Sequence, residues 1–169
     1  DVLIARHGAD AVRYWACSGS VGADQPINEA TMQQGARLAN KLWSAARLID
    51  GAADRGLRIE SRQGEAAQSS ILDFHLWPAD RALLAWLQRL VERATASFKA
   101  YEYAAALEAT ERFFWGTFCD NYLEWVKSRL YDGAPAEREA ALGTLLHALG
   151  TVLRLLAPIM PHVAEEIPA

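Results

Sequence analysis

Apolar residues recur every three or four positions through most of this chain, a spacing that predicts helices almost throughout. A short helix is expected from Ala9 to about Ser18, ended by Gly19 and Gly22, with residues 18–26 forming a loop. Asn28 then reads as an N-cap, with Glu29 in the favourable first turn. The helix it opens runs to about Asp50, carries Leu38, Leu42, Ala45 or Ala46, and Ile49 as one apolar stripe, and stops at Gly51. From about Gly51 to Ser70 the periodicity lapses, and a connector of about 51–77 is expected, with Leu57-Arg58-Ile59 as a brief extended piece. A second long helix starts near Pro78 and turns Leu83, Leu87, Leu90, Val91, Ala94 and Phe98 inward. A third begins near Tyr103, puts Leu107, Phe114, Phe118, Tyr122 and Trp125 on or near one face, and ends by Asp132-Gly133. The fourth follows Pro135 with Leu142, Leu145, Leu146, Leu149, Val152, Leu153 and Leu156 as its apolar face. Pro158 interrupts it, and Pro161 restarts a short terminal turn. Four amphipathic helices and one long connector predict an all-α fold, an antiparallel helical bundle.

Length and composition fit a globular protein with one well-buried core, or one domain plus a short appendage. The 169 residues are 51% hydrophobic and 22% charged. No apolar run approaches ~20 residues, so no membrane span is expected, and nothing at the N-terminus resembles a signal peptide. The chain lacks an initiator Met, which fits a piece excised from a longer protein. Cys17 and Cys119 sit in apolar helical patterns and read as buried, reduced thiols of a cytoplasmic protein. The net charge of −4 does not advertise nucleic-acid binding, so an RNA ligand would need a local basic face.

Catalytic signatures are missing. Gly19-x-x-Gly22 lacks the third glycine and the preceding strand of a phosphate loop. His162-Val163-Ala164-Glu165-Glu166 lacks the second histidine of a zinc helix, and His7, His75 and His147 each stand alone. Neither a catalytic nor a metal-binding residue is assigned. The one constellation of interest is on the helix from Glu29. Gln34, Arg37, Lys41, Ser44 and Leu48 share a strip outside the apolar stripe. Two cations and two hydrogen-bonding side chains there can hold phosphates and test base edges, with an exposed Leu48 against a base. An ordinary solvated face explains the same residues. Lys127 and Arg129, late in the third helix, raise the same pair of readings, since cations there also complement the helix dipole. Most of the many aromatic residues are expected to pack in or beside the core.

Three blocks carry a resemblance. They are Gly8-Ala9-Asp10-Ala11-Val12-Arg13-Tyr14-Trp15, followed by Gly22-Ala23-Asp24; Gly35-Ala36-Arg37-Leu38-Ala39-Asn40-Lys41-Leu42-Trp43-Ser44-Ala45-Ala46-Arg47, followed much later by Phe118-Cys119-Asp120-Asn121-Tyr122-Leu123-Glu124; and Leu156-Ala157-Pro158-Ile159-Met160-Pro161-His162-Val163-Ala164-Glu165-Glu166-Ile167. Their order and spacing resemble the C-terminal tRNA-binding region of class I aminoacyl-tRNA synthetases, of the valyl branch. The resemblance implies that residues 1–27 end a stem-contact region, with a short helix, and that 28–169 form an anticodon-binding bundle. It implies that Asp10 and Arg13 fix the junction, and that the strip Arg37, Lys41, Ser44 and Leu48 faces the tRNA. Leu48 stands where family members can carry an aromatic residue. The His-x-Gly-His and Lys-Met-Ser-Lys-Ser segments of such enzymes do not occur, so this chain is expected to be non-catalytic and to bind no cofactor. A parent enzyme would use ATP with Mg. The implied partners are valine-type tRNA and the catalytic domain of the parent chain, not a membrane or DNA. An isoleucyl-type synthetase, or a stand-alone helical module descended from a synthetase, are the other readings.

Overall fold

The structure, a computed structural model, describes residues 2–63 and 76–167, with 56–63 described by backbone alone. No strand occurs among the described residues. The helices are α1 (Val2–His7), α2 (Ala9–Cys17), α3 (Glu29–Gln63), α4 (Pro78–Lys99), α5 (Tyr103–Arg112), a π-helical segment (Phe113–Tyr122), α6 (Leu123–Trp125), α7 (Lys127–Asp132), α8 (Pro135–Leu156) and α9 (Pro161–Glu166). The expected all-α bundle is the fold observed. α8 sits at its centre, packed against α3, α4, α5, α7 and α9.

Several helix starts have the expected causes. The Asn28 carboxamide oxygen accepts from the amides of Ala30 at 3.0 Å and Thr31 at 3.3 Å, opening α3. Pro78, Pro135 and Pro161 occupy first-turn positions of α4, α8 and α9. α1, which the sequence pattern did not suggest, is separated from α2 by Gly8 at φ +87°, a conformation that glycine adopts at little cost.

Gly51 does not stop α3. The helix continues to Gln63, through the stretch read as a connector and through Leu57-Arg58-Ile59. An interior glycine costs a helix only about 1 kcal/mol, and the apolar stripe carries on through buried Ala52. The rest of the expected connector, 64–75 with His75, lies outside the described residues.

The third predicted helix is not one α-helix. Ten residues, Phe113–Tyr122, are π-helical. Its wider turns rotate the chain less per residue, so the α-period phase is lost across it. Phe114, Phe118 and Tyr122 remain buried, but Trp125 is 60% exposed rather than on the inner face. Leu146 in α8 is likewise 40% exposed, while Leu145, Leu149, Val152 and Leu156 form the core side. α8 is long and apolar enough to span a membrane by length and composition, contrary to expectation. However, more than half of its most apolar stretch is buried, as befits a core helix.

The α4–α5 turn is closed by the Glu102 amide donating to the Ser97 carbonyl at 2.8 Å and the Tyr101 amide to that of Phe98 at 3.1 Å. Tyr101 occupies the left-handed position usually given to glycine, at φ 59°.

Candidate nucleic-acid interface

Folding joins the two ends of the chain. The Asp10 carboxylate accepts from the backbone amides of His162 at 3.3 Å and Val163 at 2.7 Å, capping α9 from 152 and 153 residues away. From the next turn of α2, Arg13 donates to the carbonyls of Ile159 (Nε, 2.8 Å) and Pro158 (Nη2, 2.9 Å). These two side chains, from the first resembling block, therefore hold the proline-bounded turn of the third. Tyr14 beside them donates to Glu111 Oε2 at 2.6 Å; burial, with the Glu111 carboxylate, raises its phenol well above the ordinary value. Gly35 makes room for this ring, because a Cβ there would lie 2.7 Å from that of Tyr14. α2 is thereby seated on the first half of α3. An open cleft of about 530 Å³ between α2, α3 and α9 is lined in part by His7, Asn40, Trp43, His162 and Glu166. His7 is not alone: its Nε2 lies 3.1 Å from Glu29, which also accepts from Arg6 at 2.9 Å.

The α3 strip is exposed only in part. Arg37 and Ser44 are exposed. The Ser44 hydroxyl donates back to the Asn40 carbonyl at 2.8 Å. Lys41 is half-buried rather than fully outward, its ammonium 5.5 Å from the centre of the Trp115 ring. Leu48 departs from expectation. It is half-buried and packs against the core, so its side chain is used in folding and is not a free platform for a base. The same spacing, carried past Gly51, brings exposed Arg55 onto the strip, with its guanidinium 4.9 Å from the centre of the Tyr131 ring. The strip is thus basic along its length and edged by two aromatic rings from other helices. Arg55 was within reach of the periodicity once α3 is allowed to continue. Trp115 and Tyr131 lie 60 residues or more away in sequence, and no local signal marks them.

Arg129 does not belong to any such surface. It is 6% exposed and forms a two-pronged pair with Asp80, which is 0% exposed. Asp80 also accepts from the Tyr122 hydroxyl at 2.7 Å and the Trp77 amide at 2.9 Å, and the Arg129 guanidinium lies 4.8 Å from the centre of the Trp77 ring. Burial pushes the Asp80 carboxyl up, but hydrogen bonds from Arg129, Tyr122 and Trp77, with the Arg129 charge, hold it below the usual range. Lys127 is engaged by Glu124 at 2.7 Å. Burial pushes the Cys119 thiol up to about 11, against the opposing pull of Lys41, which keeps it an unreactive thiol. Among the described residues no three His, Cys, Asp or Glu side chains gather as a metal site.

Comparison with known proteins bears on this geometry. Residues 80–168 match the family described as the anticodon-binding domain of tRNA ligase. The chain is 39% identical over 176 residues to a valine--tRNA ligase of Rickettsia rickettsii (strain Sheila Smith), and 40% identical over 168 residues to that of Rickettsia prowazekii (strain Madrid E). It is 40% identical over 165 residues to that of Thermobifida fusca (strain YX). Each alignment covers 98% of this chain, which spans 20% of the two Rickettsia proteins and 17% of the third.

Proposed function

This chain belongs to the family of anticodon-binding domains of tRNA ligases, and from that premise we propose that it binds the anticodon arm of valine tRNA within a valine–tRNA ligase. The observation that carries the valine assignment is the near end-to-end identity, about two residues in five, with valine--tRNA ligases. Residues 28–169 are the anticodon-binding bundle, and 1–27 close a region that meets the tRNA stem. Arg37, Lys41 and Ser44, joined by Arg55, hold the RNA along α3. Phosphate contacts from the three cations set its register, and Ser44 with the edging rings Trp115 and Tyr131 meets unstacked bases. Leu48 supports the strip from beneath. The clasp of Asp10 and Arg13 on the turn before α9 fixes how the bundle is presented to the catalytic domain of the longer, cytoplasmic enzyme. That domain would carry out ATP- and Mg-dependent aminoacylation, with the bundle delivering the far acceptor end of the tRNA to it.

Lys41→Glu tests the placement of the interface. It reverses one charge on the strip and leaves the core stripe untouched. Affinity for valine tRNA is expected to fall about tenfold at low salt, equivalent to about 1.4 kcal/mol. The slope of log affinity against log salt should shrink by about one. Filter binding across a salt series measures both, and an unchanged helical circular-dichroism spectrum keeps folding out of the result. Unchanged affinity in the folded variant would remove α3 from the interface.

A further inference from the structure

A second basic face lies on α4, away from the α3 strip. Trp86, Arg89 and Arg93 follow one another at three- and four-residue spacing, exposed alongside the buried stripe of Leu83, Leu87, Leu90 and Ala94. α4 packs against α5, α8 and the π-helical segment, whereas α3 packs against α2, α8 and α9. The exposed charges of α4 as a whole are Arg81, Arg89, Arg93 and Lys99 against the single carboxylate Glu92. The whole chain, by contrast, carries a net charge of −4. The exposed surface of α4 is thus locally basic within an acidic chain.

Folding does not call for this arrangement. Arg89 and Arg93 are like charges at i and i+4, a pairing that weakens a helix. Glu92 is three residues from Arg89, but its carboxylate accepts from Gln88 at 3.0 Å. Neither arginine has an acid partner among the described residues. The dipole accounts for Lys99 in the last turn, but not for two arginines in mid-helix, and it opposes Arg81 near the start. Beside them Trp86 keeps 46% of its surface in water, and neither arginine covers its ring.

We infer that Arg89 and Arg93, with Trp86 beside them, form a second RNA-binding surface that grips the phosphate backbone of a paired stem without reading its sequence. This rests on the reading of the chain as an RNA-binding domain and extends it to a contact separate from the α3 strip. Two guanidiniums one helical turn apart, about 6 Å along the axis, suit successive phosphates, and the indole packs against the sugar edge. The charge matches a polyanion, and no base-selective set of donors and acceptors accompanies it.

The test is binding of a labelled RNA hairpin with a fully paired stem to the 169-residue chain and to its Arg89→Gln/Arg93→Gln variant, across a salt series. The variant is expected to bind at least tenfold more weakly at low salt. Its slope of log affinity against log salt should be smaller by about two, equally for hairpins of unrelated loop sequence, with the helical spectrum unchanged. Trp86→Ala should weaken binding several-fold without altering the slope. If the folded double variant keeps the parent's affinity and slope while Lys41→Glu weakens tRNA binding, this inference fails and the α3 interface stands. If the parent chain binds no RNA, both fail. If the double variant loses adsorption to phosphatidylserine vesicles and not to the hairpin, the face serves a membrane and the inference is overturned.

Discussion

Asp80→Asn is expected to destabilise the bundle by roughly 3–5 kcal/mol, the usual cost of removing one partner from a buried ion pair. Asp80 has no exposed surface and accepts from three separate elements: the Trp77 amide at the start of α4, the Tyr122 hydroxyl in the π-helical segment, and the Arg129 guanidinium in α7. Neutralising it leaves Arg129 buried with no counter-charge, and the exposed Trp77 ring beside it gives only weak compensation. Urea unfolding followed by circular dichroism measures the loss. Adding Arg129→Met should restore part of it, because no lone charge then remains buried. The pair also sets a pH dependence. The folded-state carboxyl titrates below its unfolded value of about 3.9. Its contribution is therefore complete well above that value and is lost as pH falls through it toward the folded-state value. The Asn variant should lack this acid-side decline.

Leu145→Asp should abolish cooperative folding, whereas Leu146→Asp should change stability by no more than about 0.5 kcal/mol. Leu145 is fully buried in α8, the helix against which α3, α4, α5, α7 and α9 pack. A carboxylate there finds no partner. It either stays charged at a cost of many kcal/mol or takes a proton and still leaves polar atoms unpaired. A domain with roughly 5–15 kcal/mol of stability does not survive that. The expected product keeps helical far-ultraviolet dichroism, loses its near-ultraviolet signal and binds a hydrophobic dye. Leu146, one residue on, faces water over 40% of its surface. The two variants together check the rotational phase of α8, the point on which the apolar pattern of the sequence was least specific.

The long helices were legible because apolar spacing, an Asn cap and three first-turn prolines are local signals. What escaped was non-local or broke the α period. Gly51 looked like a stop because glycine so often ends helices, yet buried Ala52 continues the stripe beyond it. The π-helical segment has no periodic signature of its own, so Trp125 was assigned to the wrong face. Asp80 and Arg129 each have a local explanation, an acid in a first turn and a base in a last turn. Only folding shows that they belong to one another across 49 residues. At the candidate interface, Arg37, Lys41 and Ser44 followed from helical spacing. Leu48 was misplaced because the strip borders the core stripe, and Trp115 and Tyr131 arrive from helices the spacing of α3 cannot reach. The block from Gly8 to Trp15 marked the family, while its physical use, a clasp on the turn before α9, required the structure.

The most direct measurement is the equilibrium affinity of this chain for valine tRNA and for the same tRNA with another amino acid's anticodon, over a range of salt. An anticodon-binding domain of a valine–tRNA ligase should bind valine tRNA more tightly at every salt. The two salt dependences should run parallel, because both RNAs make the same phosphate contacts. Equal affinities across the whole range would contradict the assignment.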